Sequence, residues 1–262
     1  MKEIRALLLI VCFCSFSRAA IADEVTVAAA SDLSFAFKEI ATGFEKQTGH
    51  TLRVSTGSSG NFFAQIRGGA PFDVFFSADA EYPRKLEAEG LAQEGSLYVY
   101  AIGRIVIWVP RGSRDLSKED LTKEGMRALL KPGVRKIAIA NPRHAPYGRA
   151  AVAALKHFGI YEQVEARLVF GENVAQAAQF VESGNAQAGI IALSLASAPQ
   201  MKDRGEQWLI PEEAHPRLEQ AAVVMRTARS PQAARALLDY LRGPEGQALL
   251  KRYGFQLPVK QP

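Results

Sequence analysis

Two short stretches of this chain have residue types that could hold an anion. In the first, Gly57-Ser58-Ser59-Gly60-Asn61 stands between an apolar run at 52–54 and a helical pattern through Phe62, Phe63 and Ile66, with no acidic side chain at the turn. In the second, Ser31-Asp32 follows an apolar run at 25–30 and opens a helical pattern carried by Leu33, Phe37, Ile40, Ala41 and Phe44. The first turn of a helix leaves backbone N–H groups unpaired and carries partial positive charge, so a Ser-led helix entry suits a negatively charged ligand. Ser, Asn and Asp also cap helices in every fold, and capping alone would account for either stretch.

Other chemistries lack their parts. His50, His144, His157 and His215 are scattered, without the spacing of a metal site, and read as surface or satisfied structural histidines. Neither G-x-x-x-x-G-K-[ST], G-x-G-x-x-G nor G-x-S-x-G occurs, so phosphate-loop, dinucleotide and nucleophile-elbow readings have no support. Asp73 and Asp79 lie six residues apart and alternation would put them on one face of a strand, yet turn formation and capping explain both. An enzyme would need a general base near the mouth of the site. Asp32 is the one acidic candidate.

The elements that must position these residues follow one grammar. Residues 52–54 and 74–76 read as buried strands on either side of the helix through Phe62, and a helix follows at 82–91. The run 98–110, broken at Gly103-Arg104, is too long for one ordinary strand and is expected to carry the chain from one lobe to another. Beyond it come a helix at 121–130, a strand at 134–140, a two-proline loop at 141–148 and a helix through Ala151, Leu155 and Phe158. A strand at 166–170, a turn at 171–173, a helix at 174–182 and a strand at 189–193 complete that region. A strand at 221–225 and two proline-led helices, Pro231–Arg242 and Pro244–Arg252, close the chain. Strand and helix alternate with short connections, which predicts an α/β fold with parallel sheet. Four strand-to-helix junctions, two from each half, would then face each other across a cleft, where open α/β sheets bind ligands.

Composition narrows the setting. Residues 1–22 pair Lys2 and Arg5 with an apolar run at 6–16 and Ala20-Ile21-Ala22, the pattern of a secretory signal peptide cleaved after Ala22. The apolar run is about half the length a membrane span needs. Both cysteines, Cys12 and Cys14, lie inside this segment; Val11 stands where a lipoprotein signal ending at Cys12 would want a small residue. Cleavage removes Lys2, Arg5 and Arg18 against Glu3, so the net charge falls from +5 to +3 over 240 residues, enough chain for a core without disulfides. That mild, scattered excess does not make a nucleic-acid surface.

Several segments in order, AAASDL at 28–33, GSSGNFFAQIRGGAPFDVFFSAD at 57–79, NPRHAPYGRAA at 141–151, GENVAQA at 171–177 and LRGPEGQALLKRYGF at 241–255, resemble the periplasmic molybdate-binding proteins of bacterial molybdate ABC transporters. The resemblance covers roughly residues 24–257. It implies two doubly wound lobes of the type II periplasmic-binding-protein fold, residues 23–102 with 214–262 and residues 103–213, closing over molybdate or tungstate. It also implies a monomer in the periplasm that serves a membrane permease and needs no cofactor. The metal would be bound only as the oxyanion. Family contacts carry over to the hydroxyls and amides of Ser31 and Ser59, to Tyr147, and to the amide of Val174. Asp32 falls where some members have Asn and use the backbone amide; its side chain is expected to cap its helix or face outward. Some members take a tyrosine from the strand at 189–193, but Ala192 stands there, and Tyr147 matches a second branch, in which the expectation is that its hydroxyl donates to the oxyanion. A receptor for another tetrahedral oxyanion such as sulfate, or an enzyme on the same scaffold, are the competing readings.

Overall fold

The computed structural model describes residues 22–258. Residues 1–21 of the segment read as a signal peptide, with both cysteines, fall outside that range. Ten strands form two five-stranded sheets. The first holds β1 (Glu24–Ala30), β2 (Thr51–Gly57), β3 (Val74–Ser77), β4 (Tyr98–Gly103) and β10 (Leu218–Val224), in the order β2-β1-β3-β10-β4. The second holds β5 (Ile105–Pro110), β6 (Ile137–Ala140), β7 (Leu168–Gly171), β8 (Ala188–Ala192) and β9 (Gly205–Leu209), in the order β7-β6-β8-β5-β9.

The first sheet shows why its strands are apolar almost throughout. Val25, Val27 and Ala29 of β1 join Val74 and Phe76 of β3 in one core, while Ala28, Phe75 and Val223 belong to the core on the opposite face. Side chains alternate across a strand, so a sheet covered on both sides needs apolar residues at both parities. The helix Ala36–Thr48 buries Ala36, Phe37, Ile40 and Phe44, the spacing of one helical face, and ends at Gly49 in the left-handed region with φ 78°.

Both sheets are mixed, which corrects the expectation of parallel sheets. β1 pairs in parallel with β2 and β3, and β6 with β7 and β8, but β10 runs antiparallel between β3 and β4, and β5 antiparallel between β8 and β9. The chain leaves the first sheet by β4, turns through Arg104 directly into β5 of the second, and returns from β9 into β10. A strand entered by crossing between sheets need not follow a helical crossover, so nothing holds it to the parallel direction. The run 98–110 is thus two strands in two sheets, as its length required. The helix expected over 121–130 is an α-helix only at Lys118–Glu124 and continues as a 3-10 turn, Gly125–Leu130, because Gly125 at φ 56° breaks the α ladder. The strand expected from 134 begins at Ile137, after the Pro132-Gly133 turn. β9, with its alternating exposure, had no forecast. Among the described residues no helix is long and apolar enough to cross a membrane.

Candidate functional site

Ser31, Asp32, Ser59, Tyr147 and Val174 meet around one cavity. Each sits where a strand or loop becomes a helix. Ser31 and Asp32 begin the 3-10 turn Ser31–Leu33 that leaves β1, and Ser59 begins the helix Ser59–Arg67 that leaves β2. Tyr147 follows Pro146 at the start of Pro146–His157, and Val174 begins Val174–Glu182 behind the N-cap Asn173, whose Oδ1 accepts from the Gln176 amide at 3.0 Å. All five are buried. The amides of a helix's first residues have no acceptor inside their own helix, so these starts aim donors and positive dipole ends at the same space. That space is at most about 180 Å³, and none of the residues lining it is Lys, Arg or His. Clefts for organic ligands run to roughly 300–1,000 Å³, so this one suits a compact ion.

The two serines are oriented as donors. Ser59 Oγ accepts the Ala78 amide at 2.9 Å and Ser31 Oγ accepts the Ala175 amide at 3.4 Å. A hydroxyl whose oxygen is engaged by a backbone amide keeps its proton to give, and both serines line the cavity. The Ala175 bond also joins the two lobes, and others do the same around the rim. Gly60 donates its amide to His144 O at 2.9 Å, Ser58 Oγ lies 2.8 Å from His144 Nδ1, and Arg149 pairs with Asp79 at 2.5 Å. Glycine at 60 permits this closeness: a Cβ there would stand 2.6 Å from His144 O.

One wall differs. Asp32 neither caps its helix nor faces outward; it is 1% exposed, and its Oδ2 accepts Tyr147 Oη–H at 2.9 Å and Gln220 Nε2–H at 2.7 Å. That expectation is overturned because three groups from other parts of the chain converge on this position. Ser194 Oγ donates to the Asp32 carbonyl at 2.8 Å, Gln220 Nε2 also lies 2.9 Å from Tyr147 Oη, and Gln220 Oε1 accepts Tyr100 Oη–H at 2.7 Å. Asp32 Oδ1 is buried without a hydrogen-bond partner. Burial pushes the Asp32 carboxyl up to about 6, against the hydrogen bonds from Gln220 and Tyr147. Tyr147 and Tyr100 are held well above the usual phenol range, first by burial and then by the Asp32 charge.

The Tyr147 hydroxyl has a single proton, and in this arrangement it goes to Asp32. Gln220, Tyr100, Ser194 and His144 were not among the sequence candidates. Gln220 left no clear trace in the sequence: it stands beside Glu219 just before the apolar run 221–224, and only its full burial next to a register shift against β4 marks it. Among the described residues no group of three or more His, Cys, Asp and Glu could hold a metal ion.

A family model described as bacterial extracellular solute-binding protein matches residues 25–256. The chain belongs to that family. Within it, the molybdate-binding protein ModA of Azotobacter vinelandii is 40% identical over 239 residues, 91% of this chain and 92% of that protein. ModA of Rhodobacter capsulatus is 39% identical over 236 residues, 90% of this chain and 89% of that protein. The solved structure of the Azotobacter vinelandii periplasmic molybdate-binding protein superposes with a TM-score of 0.82 at 36% identity, over 90% of this chain and all of that one. These relatives are binding proteins, not enzymes, and the two-lobed fold expected from the sequence is the fold they share.

Proposed function

We propose that this chain captures molybdate in the periplasm and delivers it to the permease of an ABC transporter. The observation that carries the reading is the convergence of four helix starts and two donor-oriented serine hydroxyls on one small buried cavity without a cation. Hydrogen bonds to a charged group contribute roughly 1.5–3 kcal/mol each. About six neutral donors thus give a gross 9–18 kcal/mol, from which closure and ordering subtract, leaving micromolar to nanomolar binding. Neutral donors also let the ion go; a guanidinium clamp would hold it.

Tungstate has the same charge and nearly the same shape, so it belongs to the same ligand class. Sulfate is smaller and would stretch several bonds past the useful range of roughly 2.7–3.2 Å. The direct contacts are assigned to the hydroxyls of Ser31 and Ser59 and to the first-turn amides at Asp32, Ser59, Tyr147 and Val174. Residues 23–102 with 214–262 form one lobe and 103–213 the other. Export with cleavage after Ala22 and a monomeric state complete the reading. Calorimetry with molybdate, tungstate, sulfate and phosphate is the test. Molybdate and tungstate should bind at micromolar or better and sulfate more weakly; the absence of molybdate binding, or a preference for sulfate, overturns the reading.

A further inference from the structure

We infer that Asp32 takes part in the bound state as the neutral acid, its Oδ1–H donating to the oxyanion, so that each molybdate is captured together with one proton from solvent. The inference rests on the molybdate reading above and specifies one side chain of that site.

The geometry already distinguishes the two carboxyl oxygens. Oδ2 accepts from Tyr147 Oη and Gln220 Nε2, and Gln220 is oriented by its Oε1, which accepts from Tyr100 Oη. With two donors on Oδ2, a proton arriving on the carboxyl goes to Oδ1, the buried and unpartnered oxygen of a residue that lines the cavity. A buried, unpartnered carboxylate oxygen on a residue that lines the cavity repels a dianion held there, the more so where burial lowers the local dielectric. As the acid, the same atom becomes one more donor.

No neighbouring group offers another way out. From the helix Pro146–His157 the titratable side chain facing Asp32 is Tyr147, and from β4 it is Tyr100; both stay protonated at neutral pH. Charged residues on the surrounding elements pair among themselves: Arg149 with Asp79, Arg104 with Glu212, Arg53 with Glu24, Arg84 with Glu219, and Glu182 with Arg204. His144 sits at the rim against Ser58 and Glu172. Protonating Asp32 is also inexpensive. Titrating near 6 when free, the group is about nine-tenths ionised at pH 7, so taking up the proton weakens binding only about tenfold there. The sign follows: affinity is level below about pH 6 and falls by up to tenfold per pH unit above it, until the raised bound-state titration is reached.

The test is calorimetry of the mature protein with sodium molybdate between pH 7 and 8.5, in buffers of different ionisation enthalpy. Molybdate itself stays a dianion in that range. The expected result is close to one proton taken up per molybdate and a Kd that weakens several-fold to tenfold per pH unit. In Asp32→Asn the amide oxygen can still accept from Tyr147 and Gln220 while its N–H₂ supplies the donor at every pH, so proton uptake should vanish and the Kd become level. Wild-type binding without proton uptake overturns the inference and leaves the molybdate reading standing, and this arm needs no variant to fold. Uptake that persists in folded Asp32→Asn assigns the proton elsewhere, His144 first, and also overturns it. Equal affinity for phosphate would mean that Asp32 stays charged and accepts the ligand's proton, the opposite role. No molybdate binding at all overturns function and inference together.

Discussion

The cavity has two unlike walls. One consists of helix starts and serine hydroxyls, neutral, donor-only and drawn from local strand–turn–helix junctions in both lobes. The other consists of Asp32 and Tyr147, backed by Gln220 and Tyr100, an acidic side chain held by residues 115 and 188 positions away in the chain. The donor wall explains why an anion is attracted. The acidic wall decides in which protonation state, and at what pH, the site can take it.

The largest effect expected from separating the walls is on stability. Asp32 titrates at about 6 against an ordinary 3.8, so the folded protein holds its proton over a window in which the unfolded chain has lost it. The stability this provides is complete below about pH 4, is lost as pH rises through 6, and leaves the ionised protein about 3 kcal/mol worse off above that. Asp32→Asn should therefore stabilise the ligand-free protein at pH 8 by up to about 3 kcal/mol, roughly 6–10 °C in Tm, and flatten the profile between pH 4 and 6. Thermal melts across that range check it; an unchanged Tm at pH 8 would mean that the charge is not buried.

The donor wall comes next. Ser59→Ala removes a hydroxyl donor and leaves the Ala78 amide unpaired, so molybdate affinity should drop ten- to a hundredfold, about 1.5–3 kcal/mol, with a further stability loss of about 1–3 kcal/mol. Unlike the Asp32 variant, its loss should not depend on pH. Calorimetry at pH 6 and 8 separates the two walls by that criterion.

Tyr147 touches both walls, and a smaller effect tells which one its hydroxyl serves. Tyr147→Phe deprives Asp32 of a hydrogen bond that lowers its titration, so the pH midpoint of binding should move up while affinity at pH 6 changes less than about tenfold. A loss of ten- to a hundredfold at every pH would instead make the hydroxyl a direct ligand donor. Smallest is the rim. Arg149→Ala breaks a partly exposed pair with Asp79 and should alter closure by about 0–1 kcal/mol, less at high salt, as ligand titrations at two ionic strengths would show.

How much of this was legible follows from the range of the interactions. The helix starts at Ser59 and Val174 could be placed because glycine, serine and asparagine punctuation before an apolar helical stripe is a local signal, and so could the closing helices behind Pro231 and Pro244. Gly60 illustrates the limit. It reads as one more turn residue, and only the approach of His144 O shows that a side chain there would obstruct the meeting of the lobes. Gln220 and Tyr100 belong to strands whose local pattern asks only for burial, and their polar atoms acquire meaning from what lies opposite.

The sequence by itself determined the two-lobed α/β class, the crossing between lobes near Gly103-Arg104 and the helix starts that converge on the cavity. These depend on hydrophobic period and on capping residues within a few positions of each other. Only the tertiary structure decided the antiparallel β5 and β10, the facing of the serine hydroxyls, and the inward turn of Asp32. Strand direction is settled by which sheet receives a crossing chain. A carboxylate's environment, in turn, depends on groups such as Gln220, far away along the chain, that burial brings within hydrogen-bond distance.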